Sequence, residues 1–237
     1  MIAVILQPSY IPWRGYFDQI RRADLFIFYD DVQYDKHGWR NRNQIKTPHG
    51  KRWLTIPVHA AGATHGVLIK DVLIDWTKPW ADQHLRSLVT SYARAPFFKK
   101  YLPLLESLYG RRDEHIADFT IASTVALAGE LGIQHTRFMR SSALGGIEGS
   151  RTTRLVEILK RVGADHYISG PSARAYVKTE EFEASGIRLE YMEYDYPEYP
   201  QLYLPFDPHV TALDLLFMTG DRALEFIVPK EEASREP

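Results

Sequence analysis

No cysteine occurs among the 237 residues of this chain. Disulfides, thiolate nucleophiles and cysteine-ligated zinc or iron–sulfur centres are therefore excluded, and the composition suits a reducing, cytoplasmic compartment. Charge of one sign is not in excess either. Lys plus Arg number 29 and Asp plus Glu 30, for a formal net charge of −1, so no global basic field draws the chain to nucleic acid. No uninterrupted apolar run approaches the ~20 residues of a bilayer span, and the opening apolar run is too short for a signal-peptide core. The 9 histidines show no H-E-x-x-H or comparable spacing, so the sequence indicates no metal site. It names no cofactor. The G-x-S-x-G elbow, the Walker loop and the G-x-G-x-x-G fingerprint are absent, which disfavours standard serine hydrolases, P-loop NTPases and dinucleotide binders.

What is present is material for a core, with 45% hydrophobic and 13% aromatic residues. Residues 2–6 read as a buried strand, 15–23 as a helix and 25–29 as a second strand, a unit that favours a parallel pair with ligand sites at the carboxyl ends. A turn at Pro48, His49 and Gly50 separates strands at 44–47 and 53–58, with a further strand expected over 67–74. Helical spacing dominates 78–131. Strand and helix then alternate through 136–139, 153–162, 166–169, 180–184 and 188–194, ahead of a terminal helix over 211–217. The expectation is an α/β fold with a mostly parallel, Rossmann-like sheet. It forms one domain over 1–228, with a small antiparallel β section (36–76), a helical insertion (78–132) and a frayed tail (229–237).

Three constellations could carry chemistry. Gln7, Tyr10, Trp13, Gly15 and Tyr16 lie between the first strand and helix, where prolines stiffen the loop, Gly15 permits close approach and the rings offer flat faces. Asp31, Gln33, Lys36, Trp39, Asn41, Arg42, Asn43 and Lys46 follow the second strand as a mixed polar cradle. There Asp31 is a candidate base or metal ligand, and Lys36 and Arg42 candidate anion binders. Ser169, Gly170 and Ser172 end a later strand, preceded by a helix carrying Arg154 whose start at Ser150 and Arg151 would favour an anion. His84, on a helix, is a further candidate base. Each has a plainer reading as core aromatics, a hairpin ion network or a structural turn.

The segments QPSYIPWRGYF and DDVQYDKHGWRNRNQIK, the strand around WLTIPV, and the later YISGPSARAYV, YPEYPQL and TALDLLFMTG resemble the WbqC-like family over nearly the whole chain. That resemblance implies a bacterial transferase of O-antigen, polysaccharide or natural-product pathways. Its donor would be an activated nucleotide, acyl or aminoacyl conjugate, and its acceptor a sugar or small amine. Two alternatives stand beside it: a non-catalytic glycan or nucleotide-sugar binder, and an RNA-binding or aminoacyl-tRNA-dependent protein. The run Lys36, Arg40, Arg42, Lys46, Lys51 and Arg52, interleaved with Trp39 and Trp53, keeps the last in play. The first loop, the 31–46 segment and the 169–172 turn are expected to converge on one pocket, with the helices of 78–131 as its lid.

Overall fold

The computed structural model describes residues 1–59, 66–149 and 151–233. Its sheet is built from β1 (Ile2–Leu6), β2 (Leu25–Phe28), β5 (Arg137–Arg140), β6 (His166–Ser169) and β7 (Arg188–Tyr191). All neighbours pair in parallel, in the order β5-β2-β1-β6-β7. The second sheet is the antiparallel hairpin of β3 (Arg42–Thr47) and β4 (Gly50–Thr55). The fold is thus α/β, with a parallel sheet and a small antiparallel one, as the alternation of patterns predicts.

The short apolar strands bury both faces. Val4, Phe26 and Phe28 point into one core layer, and Ala3, Ile5, Leu25 and Ile27 into the other. The first layer receives α1 (Arg14–Arg22) through Phe17 and Ile20. It also receives α2 (Trp80–Tyr92), α3 (Phe98–Gly110), α4 (Ile116–Glu130) and α7 (Ala212–Thr219). The second layer holds α5 (Arg151–Val162) and α6 (Thr179–Glu183), through Leu155, Ile158, Leu159 and Phe182. Connections therefore run over one face up to β5 and over the other from β5 onward. β1 sits at the reversal, between β2 and β6.

Two expected elements differ. Residues 67–74 form no strand of the hairpin sheet. Ile69–Asp71 is a 3₁₀ turn flanked by isolated bridges, Gln33 to Leu68 and Leu73 to His115. Its buried Ile69, Val72 and Ile74 are spaced for a tight turn laid on α4 rather than for a strand. Residues 230–233, expected to fray, form the helical turn α8 (Lys230–Ala233), on which Glu232 accepts two hydrogen bonds of 2.8 Å from Arg21. Residues 234–237 and Ser150, the expected opening of α5, lie outside the described residues. Among the described residues no helix is long and apolar enough to cross a membrane.

Candidate functional site

Reversal of the connections at β1 leaves a crevice between the carboxyl ends of β1 and β6, because the chain departs from them over opposite faces. A cavity of about 420 Å³ opens there. Gln7, Ser9, Pro12, Trp13 and Tyr16 line it from the β1–α1 loop and helix, Trp39, Arg40 and Asn43 from the segment entering β3, and Gly170–Ser172 from the turn after β6. Gln19, Tyr194 and His209 complete the wall.

The loop is held in an unusual shape. Ile11 has φ +36°, costly for a β-branched residue. The buried Asn43 amide donates to the carbonyls of Tyr10 (3.0 Å) and Ile11 (2.8 Å), and Ala212 N–H donates to the Pro12 carbonyl (2.8 Å). Trp13 then crosses the start of α1. A Cβ built on Gly15 would lie 2.4 Å from the indole, so glycine lets this ring form the cavity wall. The ring packs edgewise on Tyr194 (centroids 5.0 Å apart) and lies 5.3 Å from His209.

Arg40 sets the electrostatics. Its guanidinium donates to Gln7 Oε1, and its Nε is buried without a partner. Among the described residues no carboxylate lies within ion-pair distance of it, and no Asp or Glu lines the cavity. Burial lowers the Arg40 pKa, yet a guanidinium remains charged at neutral pH. Burial also raises the Tyr16 phenol and pushes Tyr194 up to about 12. Both therefore stay neutral: Tyr16 donates to the Gln7 carbonyl (3.1 Å), and Tyr194 accepts from Gln19 (3.0 Å). The result is a positive, ring-walled cavity with one imidazole, His209, in its lining. Among the described residues no group of three His, Cys, Asp or Glu side chains is placed to hold a metal ion.

The structure thus brings together Gln7, Trp13, Tyr16, Trp39, Asn43, Gly170 and Ser172, with Gly15 beneath the indole. Other expected residues lie elsewhere. Tyr10 is no stacking platform: it is fully buried, its hydroxyl bonded to His84 Nδ1 (2.8 Å) and Tyr109 (2.6 Å). His84 is accordingly a core residue. Asn41 binds the Ile56 carbonyl (2.8 Å). Lys46 is buried and donates to Gln201 Oε1 (2.9 Å) and the carbonyls of Tyr203 and Pro205. Ser169 is buried against the Tyr167 hydroxyl at 3.3 Å. Gln33 and Lys36 are exposed outside the cavity, and Arg42 stacks on Trp53 at 4.6 Å. No residue of α2, α3 or α4 lines the cavity, so these helices are a core layer and not its lid.

Asp31 and Arg154 meet each other instead. Arg154 Nη2 lies 2.6 Å from Asp31 Oδ2, and Ser141 Oγ donates to the same carboxylate at 2.5 Å. The side chains are only 14% and 17% exposed, so removing one charge strands the other. Asp31→Asn is therefore expected to lower stability by about 1–3 kcal/mol, the buried-pair figure reduced for partial solvent contact. Urea unfolding measures this, and an unchanged midpoint would show that the pair holds nothing.

Gln19 and His209 are lining residues that the sequence does not single out, whereas Ser9, Arg40 and Tyr194 belong to segments that it does. Ser9 and Arg40 stand inside the two N-terminal motifs, and Tyr194 inside an aromatic tract. Gln19 and His209 have no local signal, since only the tertiary fold brings them to the loop.

The profile of the WbqC-like protein family matches residues 7–226. The chain is 40% identical over 227 residues to the uncharacterized protein Rv1507c of Mycobacterium tuberculosis (strain ATCC 25618 / H37Rv), covering 94% of this chain and 96% of that protein. No solved structure matches it.

Proposed function

The chain belongs to the WbqC-like protein family, and from that premise we propose a cytoplasmic transferase that takes a nucleotide-linked donor into the β1/β6 cavity. Its acceptor is a sugar or small amine of polysaccharide or specialised-metabolite biosynthesis. One observation carries the reading: a guanidinium without an acid partner in a carboxylate-free cavity. Such a group favours an anion, since an anionic ligand supplies the charge-assisted hydrogen bonds that the protein does not. Arg40 would hold the donor's phosphate oxygens beside the Gly170–Ser172 turn. Trp13, Trp39 and Tyr194 would flank its ring, and the Ser9 and Ser172 hydroxyls would orient it. His209 is the lining group suited to move a proton between acceptor and leaving group. A volume of about 420 Å³ falls in the ~300–1,000 Å³ range of small-molecule sites. The position after the first strand, at the connection reversal, is where such sheets bind nucleotides.

The test has two stages. A panel of nucleoside diphosphates and nucleotide-sugars is screened by melting temperature, and ligands that stabilise are then incubated with amino-sugar acceptors and followed by mass spectrometry. Stabilisation by a nucleotide together with a transferred group supports the proposal. Stabilisation without product identifies a binding protein, and stabilisation by no nucleotide overturns the donor class.

A further inference from the structure

The hairpin carries a second surface that the cavity does not use. Pairing of Gln44 with Trp53 and of Lys46 with Lys51 puts Trp53 and Lys51 on one hairpin face. Trp53 is 42% exposed and Trp39 44%, with ring centroids 5.3 Å apart, and the Arg42 guanidinium lies over the Trp53 ring. Two indoles left this far in water, held together and capped by a cation, are unlike singly scattered surface apolars. Trp39 also lines the cavity. On its other side Lys51 belongs to an open groove of about 630 Å³ between the hairpin tip and α2. His49, Arg52 and Arg86 line that groove with the hydroxyls of Thr47, Ser87 and Thr90, and among the described residues no Asp or Glu does. Lys51 is paired with Asp207 at 2.8 Å, whereas among the described residues Arg52 and Arg86 have no acid within ion-pair distance. Lys51 thus joins the groove to the Trp53 face, and Arg52, alternating to the opposite face of β4 beside α2, makes the track turn around that strand before it reaches Trp39 at the cavity mouth.

We infer that this track binds a single-stranded nucleic acid, with phosphates in the Arg52–Arg86 groove and bases on Trp53 and Trp39. Cations along a groove with interleaved exposed rings are what a flexible phosphodiester chain with unpaired bases recognises. A duplex, its bases already stacked inward, could use only the cations. The local basic surface accounts for such binding despite the balanced total charge, because charges beyond about a Debye length are screened. A strand so placed would bring its end to the cavity mouth at Trp39. The inference shares Trp39 with the nucleotide-donor reading but not its charged groups, since neither Arg40 nor His209 belongs to the track, and the Trp53 and Arg52/Arg86 variants test it without touching the cavity lining.

Fluorescence anisotropy with labelled, unstructured 12-nucleotide RNA and DNA of one sequence tests it on the full chain. Micromolar to sub-millimolar binding at 50 mM salt is expected, with log K falling against log salt at a slope of about −2 to −3 for some three to four phosphate contacts. Trp53→Ala should weaken binding about tenfold, as should the double variant Arg52→Glu/Arg86→Glu, both with wild-type melting curves because these side chains are exposed. RNA alone or both strands binding in this manner supports the inference and identifies the sugar that is preferred. Equal or tighter binding of the duplex overturns it. So does binding that survives both variants, binding only of anionic phosphatidylglycerol vesicles, or no binding up to about 500 μM.

Discussion

Arg40→Met is expected to weaken binding of a nucleotide in the cavity by about 10- to 150-fold while leaving the melting temperature unchanged or raised. The two effects have one origin. Hydrogen bonds from a charged group to a ligand contribute about 1.5–3 kcal/mol, and each 1.4 kcal/mol is a factor of ten. In the free protein that guanidinium is desolvated, donates to Gln7 Oε1 and, among the described residues, keeps a buried Nε without a partner. Methionine fills comparable space and removes the desolvation cost. Titration calorimetry and a melting curve on the same sample decide the matter. Retained affinity would remove Arg40 from the site, and a melting temperature lowered by several degrees would make it a structural cation.

The second large effect is in pH. Burial lowers His84 from its ordinary 6.5 to about 4. In the folded chain the neutral ring is hydrogen-bonded to the Tyr10 hydroxyl through Nδ1 (2.8 Å). An unfolded chain binds a proton at His84 below pH 6.5, whereas the folded chain resists it until about pH 4. This contribution is therefore complete above pH 6.5 and is lost as pH falls toward 4. It amounts to about 3 kcal/mol, from 1.36 kcal/mol per pH unit over that window. Burial raises Asp18 and Asp214, and their linkage runs the other way, because a folded state that holds these protons gains stability as pH falls. The measurement is thus the difference between wild type and His84→Asn, which keeps an acceptor near Tyr10 but cannot titrate. Urea unfolding at pH 7 and pH 4 should show the wild type losing about 3 kcal/mol more than the variant. Parallel profiles would mean that His84 is solvated.

Sequence reading located the layers well where periodicity and burial agree. Ile2–Leu6 and His166–Ser169 are the observed strands because a run apolar on both faces has no other stable place than a central parallel strand. Reading failed where a local pattern could satisfy two geometries, as at 67–74, where buried residues at 69, 72 and 74 suit a 3₁₀ turn as readily as a strand. At the site, the segments that converge were legible and the side chains were not. Polar residues after β2 look alike in one dimension, yet Asp31 turns to Arg154 and Lys46 to the 201–205 loop, while Arg40 keeps on the cavity a cation with no acid partner among the described residues. His209 is more than 160 residues from Arg40 in the chain, so no spacing rule could join them.

The central position of β1 has a consequence for how the protein is made. Its partner on one side, β2, follows within a few tens of residues, but on the other side Ile2 pairs with His166, and the amino terminus contacts Asp165 across a separation of 164 residues. At ~5–20 residues per second, a ribosome synthesises that interval in roughly 10–30 s. Throughout it the most apolar strand of the nascent chain has one edge without its partner, the condition under which strands join those of other chains. Yield of soluble protein in a bacterial host should therefore depend on growth temperature and on chaperones that cover emerging apolar segments.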